Sequence, residues 1–576
     1  MTRSSLNPFS SGHSLMPRGL AAGAIDGVRN GRFDRLIPAT KAPKPDDTKL
    51  QELAKFMVTS FSPEGADSPD PGTPIHEAEP VDENATINSA YTYFGQFVDH
   101  DITLDTTDFG QSQKDVSATV DFRTPALDLD CVYGGGPADQ PSLYRKAKNG
   151  ARHLLRLGAS THVTASGHIH HDLLRLPPVS VNDPAAIALI GDKRNDENKI
   201  VAQFQATIIS LHNKIYEDDD FHHNITEPND RFANTVKLTR WHYQWVVLHD
   251  FLLEKILMPN ALAGFGSIYH PHLTLYDSVM ANGRDYPFMP VEFSGGVYRL
   301  GHSMVRPSYS LSEAHISKGH DAEGKKNTRI PTFGVQGEDL RGFGEPITRE
   351  WLIDWGFFVE GVKPHQAKDN WVLPQPSYRI DTRIVDPLSH LPEFKDLPAE
   401  HKIQANLAYR NLSRAVGLGL PTGEELAEAV NIIPLRTEDI WSAGSMLYKD
   451  EGPKSEIKSR REAMKKHKFA DHFAGRTPIW FYILREAEWF GCTRSLPKKY
   501  LDHIKEKDRS DAEQENKNFG GQHLGPVGSR IVLETFLGLL WHDRRSFLHD
   551  ATWRPHTKLD KNGNFTLGKL IDYALS

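Results

Sequence analysis

Several short segments of this sequence carry residue types that could do chemistry together. The first, Gly95–Asp101, places His100 between two aspartates in a stretch that also contains Phe94 and Phe97. Polar side chains that enter an apolar stretch cost free energy unless each finds a partner. A lone buried histidine is commonly structural, and the dipeptide His-Asp occurs six times in the chain. This copy therefore needs support from other segments.

Two further segments carry candidate cofactor or proton-transfer residues. The segment GDKRNDEN contains Arg194 and opens a helical pattern at Ile200. Asn195 or Asp196 is the expected N-cap of that helix, because such side chains accept hydrogen bonds from its first amides, and Arg194 could equally be a surface charge. In the segment YRLGH, His302 follows a glycine. A histidine next to so small a residue can approach a flat cofactor without obstruction.

The remaining two segments combine an amide with a cation, and acids with a hydroxyl. Asn411 and Arg414 share one face of a predicted helix, since they are three residues apart. Thr124, Asp128 and Asp130 lie on one side of an extended or looped segment. Carboxylates, a hydroxyl and backbone carbonyls are the hard oxygen ligands that Ca²⁺ prefers. A polar edge strand explains the same spacing equally well.

The elements that must position these residues are mainly helical. Apolar residues recur at helical spacing from Ile200 to Ile215, and alternating β patterns are scarce. Residues 1–85, rich in Pro, Gly, Ser and Asp, predict an N-terminal arm, and residues 86–576 predict a single large helical domain with long loops and very little β structure. Further helices are predicted at 232–256, 402–415, 423–431, 478–489 and 526–545.

Composition excludes several classes of protein. The formal charge of −8 offers no basic footprint for nucleic acid. Two cysteines, Cys131 and Cys492, exclude a disulfide scaffold or a Cys-rich metal site. No apolar run reaches the roughly 20 residues of a membrane span. The first residues show no signal peptide, so a soluble protein is expected, cytoplasmic or exported without a leader. The tract His168–His171 could bind a separate metal, but an exposed polar loop is the expected structure.

The segments GQFVDHD, TPALDLDCVYGGGP, GDKRNDEN, YRLGH and NLSR, in this order, resemble the haem peroxidase domain of the peroxidase–cyclooxygenase superfamily, the animal-type or myeloperoxidase-like haem peroxidases. The resemblance extends from about Asn88 to residues 524–548. The segments TPALDLDCVYGGGP and TPIWFYILREAE resemble the bacterial branch more than the mammalian one. It implies a peroxidase that uses H₂O₂ and a ferryl intermediate to oxidise a small donor, namely a halide, thiocyanate or a phenol.

The resemblance assigns roles to residues on both faces of a haem. His100 would be the distal histidine, with Gln96 and Arg194 beside it over one haem face. His302 would be the proximal ligand to the iron. Asn411 would accept the hydrogen of the other ring nitrogen of His302, a contact that orients a metal-bound histidine and raises its basicity.

Further roles concern the attachment of the haem and a calcium ion. Arg299 and Arg414 would pair with the haem propionates. Asp99 and Glu197 stand where this family can form ester bonds to haem, so the cofactor would be haem b or an ester-linked derivative. The Ca²⁺ ligands implied by the resemblance are Asp101, Thr124, Ala126 through its carbonyl, Asp128 and Asp130.

Two other functions stay open at this point. Fatty-acid dioxygenases of the superfamily place a radical-forming tyrosine three residues before the proximal histidine, where this chain has Arg299. Tyr298 is one residue away from that position, about 100° around a helix, so this chemistry is the less expected one. A haem-binding or adhesion module without catalytic activity is the third reading.

Overall fold

The computed structural model describes residues 31–59, 83–104, 120–121, 123–159, 161–164, 167–177, 186–282, 286–312, 330–333, 339–342, 344, 346–362, 374–447, 455–492, 510, 513, 519–560 and 563–576. Helices dominate these residues and the strands are short, which confirms the mainly α fold class.

The helices of the described residues fall into three kinds. The α-helices α1 to α16 are, in chain order, Asp47–Met57, Ser89–Ile102, Asp130–Tyr133, Gly136–Asp139, Lys199–Glu217, Pro228–Trp245, Thr274–Met280, Val291–Gly295, Leu407–Gly417, Gly423–Ala429, Thr437–Ile440, Ser455–Lys466, Phe469–Phe473, Ile479–Phe490, Pro526–His542 and Leu567–Leu575. A π-helix, Val246–Ile256, continues α6. The 3₁₀ helices are Pro141–Leu143, Lys193–Asp196, Asp219–Phe221, Ala261–Phe265, Val297–His302, Arg349–Trp351, Trp355–Phe357, Asp386–Ser389, Pro392–Phe394, Ala399–Ala405 and Phe547–His549.

Short strands connect the helices and form small sheets. The strands β1 to β15 are, in chain order, Gly31–Asp34, Val58–Thr59, Glu83–Asn88, Val120–Asp121, Tyr144–Arg145, Leu154–Leu155, Thr161–Val163, Ile169–His171, Gly266–Ser267, His270–Pro271, Met289–Pro290, Ser308–Tyr309, Ile330–Pro331, Pro376–Tyr378 and Ile384–Val385. In the described residues, β11, β1 and β4 form a three-stranded sheet, and the other strands pair in twos.

The predicted helices are present, with shifted ends. The apolar stripe predicted from Ile200 lies in α5, and the pattern at 232–256 is α6 with the π-helix that follows it. The pattern at 402–415 becomes α-helical at Leu407, because the side chain of Asn406 caps α9 by accepting a hydrogen bond from the Tyr409 amide. The predictions at 423–431, 478–489 and 526–545 correspond to α10, α14 and α15.

One predicted helix start is wrong. Asn198 caps α5, because its side chain accepts hydrogen bonds from the amides of Ile200 and Val201. Asn195 and Asp196 belong instead to the separate 3₁₀ turn Lys193–Asp196, which Asp192 caps. Asn195 therefore does not cap the helix, and its side chain contacts His100 instead.

The long helices build the core and hold the candidate segments. Helix α5 is buried along most of its length and packs against α2, α6 and α16. Helix α14 packs against α15, α9 and the 3₁₀ helix Val297–His302. The first group thus positions the residues around His100, and the second positions His302 and Asn411.

The described part of the predicted arm packs against the body. Strand β1 runs parallel to β11, and α1 packs along α9. The buried carboxylate of Glu292 accepts hydrogen bonds from the amides of Leu36 and Ile37, at 3.1 Å and 3.2 Å, and burial raises the pKa of Glu292 to about 7. Residues 1–30 and 60–82 lie outside the described residues, and the division at residue 85 stays a prediction.

The prediction of an exposed loop at His168–His171 is wrong. Strands β7 and β8 form a hairpin here, in which His168 and His170 are only 2% and 3% exposed. Nε2 of His168 lies 3.0 Å from a carboxylate oxygen of Asp572 in α16. This contact offsets the free-energy cost of burying the polar ring. None of the helices in the described parts of the chain has both the length and the apolar character of a membrane span.

Candidate functional site

Helix α2 brings His100 to a buried group of polar side chains. The histidine is 4% exposed, and its Nδ1 lies 2.8 Å from Oδ1 of Asn195. Its Nε2 lies 3.6 Å from Oε1 of Glu197. Burial, followed by the positive charge of Arg194, lowers the pKa of His100, while the charges of Glu197 and Asp99 oppose this shift. The imidazole is therefore neutral at pH 7.

The side chains of Glu197 and Gln96 lie next to His100 and are hydrogen-bonded to each other. The amide nitrogen of Gln96 donates to Oε1 of Glu197, and the amide nitrogen of Asn198 donates to Oε1 of Gln96 at 3.2 Å. Burial raises the pKa of Glu197, although 29% of its side chain is accessible. A side chain that is both desolvated and accessible is typical of the wall of an internal cavity.

Arg194 lies beside His100, as the resemblance implies, and its guanidinium contacts backbone carbonyls and the carboxylate of Asp192. Its Nη2 donates to the carbonyl oxygens of His100 and Thr103, at 2.9 Å and 2.6 Å, and forms an ion pair with Asp192 at 2.8 Å. The guanidinium thus satisfies carbonyl groups that the end of α2 leaves without helical partners. Its charge fixes the helix end and influences the ring of His100.

The second histidine lies on the 3₁₀ helix Val297–His302. Its Nδ1 is 2.7 Å from Nδ2 of Asn411 on α9. The edge of Trp480 approaches the ring, with 6.4 Å between the ring centroids, and the indole N–H donates to the carbonyl of Arg299 at 3.2 Å. Burial, followed by the charge of Arg299, lowers the pKa of His302 to about 3.

The amide end that faces His302 differs from the one predicted. The resemblance implies that the Asn411 oxygen accepts a hydrogen from Nδ1, whereas here the amide nitrogen faces the ring. A donating amide nitrogen would place the ring proton on Nε2. Rotating the amide by 180° brings its oxygen to the ring, and only that orientation leaves Nε2 unprotonated as a ligand.

The two histidine segments are in direct contact. The hydroxyl of Tyr298 donates to the carbonyl of Gly95, one turn before His100, at 3.3 Å. At Gly95, an added Cβ would lie 3.0 Å from the Phe251 ring, which would have to shift by a few tenths of an ångström. At Gly301, by contrast, an added Cβ would meet nothing within 4 Å. Open space therefore adjoins His302 inside an otherwise packed segment.

Three acids and a hydroxyl meet on the other side of α2. Carboxylate oxygens of Asp101, Asp128 and Asp130 lie within 4.8 Å of one another, and all three residues are buried. Oδ1 of Asp101 and Oγ1 of Thr124 are buried without a hydrogen-bond partner in the described residues. Burial, together with the charge of Asp130, raises the pKa of Asp101 well above its usual range and that of Asp128 to about 6. A divalent cation would compensate this cost, so the group fits Ca²⁺.

The other predicted site residues lie on the same elements. Ala126 is buried in the loop of the acidic group. Asp99 precedes His100 on α2, Arg299 lies on the 3₁₀ helix of His302, and Arg414 follows Asn411 by one turn of α9; these three are partly accessible. The structure thus brings His100, Gln96, Arg194 and Glu197 together, and His302 with Asn411.

Sequence reasoning missed four residues of the site. Asn195 was interpreted as a helix cap, and the neighbouring Asn198 was not considered as a partner of Gln96. Gln205, which accepts a hydrogen bond from Asn195, gave no signal, because a buried glutamine in a helix looks like any polar position. Trp480 lies in the TPIWFYILREAE segment and was not connected to His302.

Comparison with known proteins agrees with this geometry. Residues 108–339 match the family model of the animal haem peroxidases, a range that includes Arg194 and His302. The match covers less than half of the chain and supports a haem peroxidase-type protein. None of the curated proteins compared with it is similar enough in sequence to count as a match.

A solved peroxidase structure shares the fold of this chain. Peroxidase A from Dictyostelium discoideum superposes with a TM-score of 0.56 at 14% identity, over 96% of this chain and 94% of that one. A fatty acid α-dioxygenase from Arabidopsis thaliana gives a TM-score of 0.44 at 14% identity, over 96% and 81% of the two chains. A fatty acid α-dioxygenase from Oryza sativa gives 0.44 at 13% identity, over 92% and 82%.

The family implies a haem, and the residues present fit one. His302 is neutral at pH 7, and with the Asn411 amide rotated so that its oxygen accepts from Nδ1, Nε2 is the nitrogen left for iron. A Cβ added at Gly301, the residue before His302, would meet nothing within 4 Å, so this position leaves room for a flat group. His302 keeps some accessible surface although burial dominates its pKa, as expected for a residue in a cavity wall.

Proposed function

We propose that this protein is a haem-dependent peroxidase that uses H₂O₂ to oxidise a small donor, such as a halide, thiocyanate or a phenol. The observation that carries the proposal is a neutral, buried His100 on a helix that touches the segment of His302. A neutral imidazole can accept a proton near its ordinary pKa of about 6.5. Haem supplies the redox chemistry when bound, and the residues of the chain supply positioning and proton transfer.

In this proposal, each face of the haem site has its own task. His302 would hold the iron through Nε2, and Asn411 would orient its ring. His100 would accept a proton from hydrogen peroxide at Nε2 and return it to the leaving oxygen. Gln96, which is hydrogen-bonded to Glu197 and Asn198, keeps the polar side of the cavity ordered.

Charged residues complete the proposed site. Arg194 holds the end of α2 and keeps a positive charge next to His100, which favours the neutral base and developing negative charge. Arg299 and Arg414, on the elements of His302 and Asn411, pair with the propionates. Asp99 and Glu197 are the acids that would form ester bonds, if the haem is covalently held.

We also propose that the acidic group binds Ca²⁺. Asp101, Asp128 and Asp130 supply carboxylates, Thr124 supplies its unpartnered hydroxyl, and Ala126 supplies a backbone carbonyl. Asp101 directly follows His100 on α2. The ion would therefore stiffen the end of the helix that presents the base.

Peroxide turnover of the haem-loaded protein with bromide, iodide, thiocyanate and phenols tests the proposed function. We expect His100→Ala to lower the rate about 100-fold or more, the usual contribution of a general acid–base residue, while haem stays bound. His171→Ala, in the β7–β8 hairpin, is the matched control and should keep the wild-type rate. A full rate in His100→Ala would contradict the proposal, and so would peroxide-independent oxygen uptake with a polyunsaturated fatty acid as the only activity.

A further inference from the structure

A chain of two buried amides lies behind His100. Oδ1 of Asn195 lies 2.8 Å from Nδ1 of His100, and Nδ2 of Asn195 donates to Oε1 of Gln205 at 2.8 Å. Asn195 and Gln205 are both fully buried, with 0% exposure. Breaking this contact would leave buried polar atoms of Asn195 unpaired, which costs free energy, and Nε2 of Gln205 has no hydrogen-bond partner in the described residues.

The backbone around Asn195 is fixed independently of His100. Asn195 lies in the 3₁₀ turn Lys193–Asp196, where its amide donates to the carbonyl of Asp192 at 3.0 Å. Gln205 lies on α5, whose start is capped by Asn198. Asn195 thus has no capping task, and its side chain joins a rigid turn to the ring of His100.

The direction of this chain determines which nitrogen of His100 carries the proton. In the structure, the Asn195 nitrogen faces Oε1 of Gln205 and the Asn195 oxygen faces the histidine. An amide oxygen only accepts, so Nδ1 of His100 must donate to it. The lone pair of the neutral ring is then on Nε2, the nitrogen that faces Glu197.

We propose that Asn195, oriented by Gln205, is the positioning residue that holds His100 as the Nδ1–H tautomer and so presents Nε2 as the base. The inference rests on the proposed peroxidase function. Neither amide needs to touch peroxide or haem. Their effect on the reaction passes through the proton position and orientation of the His100 ring.

Cyanide binding to the haem-loaded protein measures this role without turnover. Hydrogen cyanide must lose a proton to a base when it binds to iron, so the association rate and its pH profile report on His100. Asn195→Leu removes the acceptor, and we expect the cyanide association rate and the peroxide reaction rate to fall about 10-fold or more. Gln205→Leu should act in the same direction with a smaller decrease.

Asn195→Asp provides the conservative rescue. A carboxylate still accepts from Nδ1, so the plateau rate at high pH should return to near the wild-type value. Its negative charge favours protonated His100 and raises the pKa of that ring. Because the protonated ring cannot act as a base, the acid decline of the rate should move to higher pH than in wild type.

Gln203→Leu is the matched control, since Gln203 is a buried glutamine of the same helix that bonds to Lys199, Trp351 and Ile353 instead. It should leave the pH profile unchanged. Wild-type cyanide rates in Asn195→Leu, with slow binding in His100→Ala, would overturn the inference alone. Wild-type rates in both variants would overturn the proposed function. If Asn195→Leu does not fold, an unshifted acid decline in Asn195→Asp overturns the inference.

Discussion

The two histidines proposed on either side of the haem have the same kind of neighbour and different surroundings. Each ring has an asparagine at Nδ1, at 2.8 Å for His100 and 2.7 Å for His302. Beyond that contact, His100 faces the polar side chains around Glu197, whereas His302 faces the edge of Trp480. The pairing with an asparagine is thus shared, and the surroundings differ between the proposed proton acceptor and the proposed iron ligand.

The charged residues around the two rings also differ: acids lie near His100, and an arginine lies near His302. Burial lowers the pKa of both, but at His100 the charges of Glu197 and Asp99 oppose the decrease. At His302 the charge of Arg299 adds to burial, and the pKa falls to about 3. The charges of Glu197 and Asp99 therefore limit the decrease in the pKa of His100, whereas His302, the proposed iron ligand, stays unprotonated at neutral pH.

Replacing the two asparagines is expected to give the largest difference between the His302 side and the His100 side of the site, and the measured quantity is haem affinity. Asn411→Leu should weaken haem affinity by about 10-fold or more, because the partner that orients a metal-bound histidine is lost. Asn195→Leu should leave haem affinity near the wild-type value, since its partner ring does not bind iron. Titration of both apoproteins with haem measures this difference. Equal affinities for the two variants would remove the distinction between the two asparagines.

Weakening the proposed calcium site is expected to have a smaller effect, confined to the His100 side. Asp128→Asn should weaken Ca²⁺ binding in a calorimetric titration and slow cyanide association a few-fold, because Asp101 adjoins His100 on α2. Haem affinity, which depends on His302, should change little. Asp139→Asn, which changes an exposed acid near the same loop, is the control. Wild-type Ca²⁺ affinity in Asp128→Asn would contradict the calcium site.

The sequence predicts the helices better than the contacts of the site. The apolar stripe from Ile200 marks α5, because a helix that buries one face must repeat at helical spacing. The two-residue strands have no pattern of their own, so the paired strands such as β5 and β6 were not predicted. The composition of residues 1–85 predicts an arm, but no pattern indicates that Glu292 accepts hydrogen bonds from its backbone amides.

The details of the distal site depend on choices that the sequence leaves open. Asn195 and Asn198 are both good helix caps, and only the packing of α5 decides that Asn198 takes this position. The pairing of Asn195 with Gln205 joins two segments through a buried contact that no spacing reveals. The burial of His168 similarly depends on Asp572, about 400 residues away in the sequence.

Haem titration followed by absorption spectroscopy tests the central claim most directly, namely that haem lies between the faces marked by His100 and His302. We predict that the wild-type protein gives a Soret band with one histidine ligand, that His100→Ala keeps this spectrum, and that His302→Ala loses affinity and changes it. A wild-type protein without a Soret band, or a His302→Ala variant with the unchanged spectrum and affinity, would contradict the account.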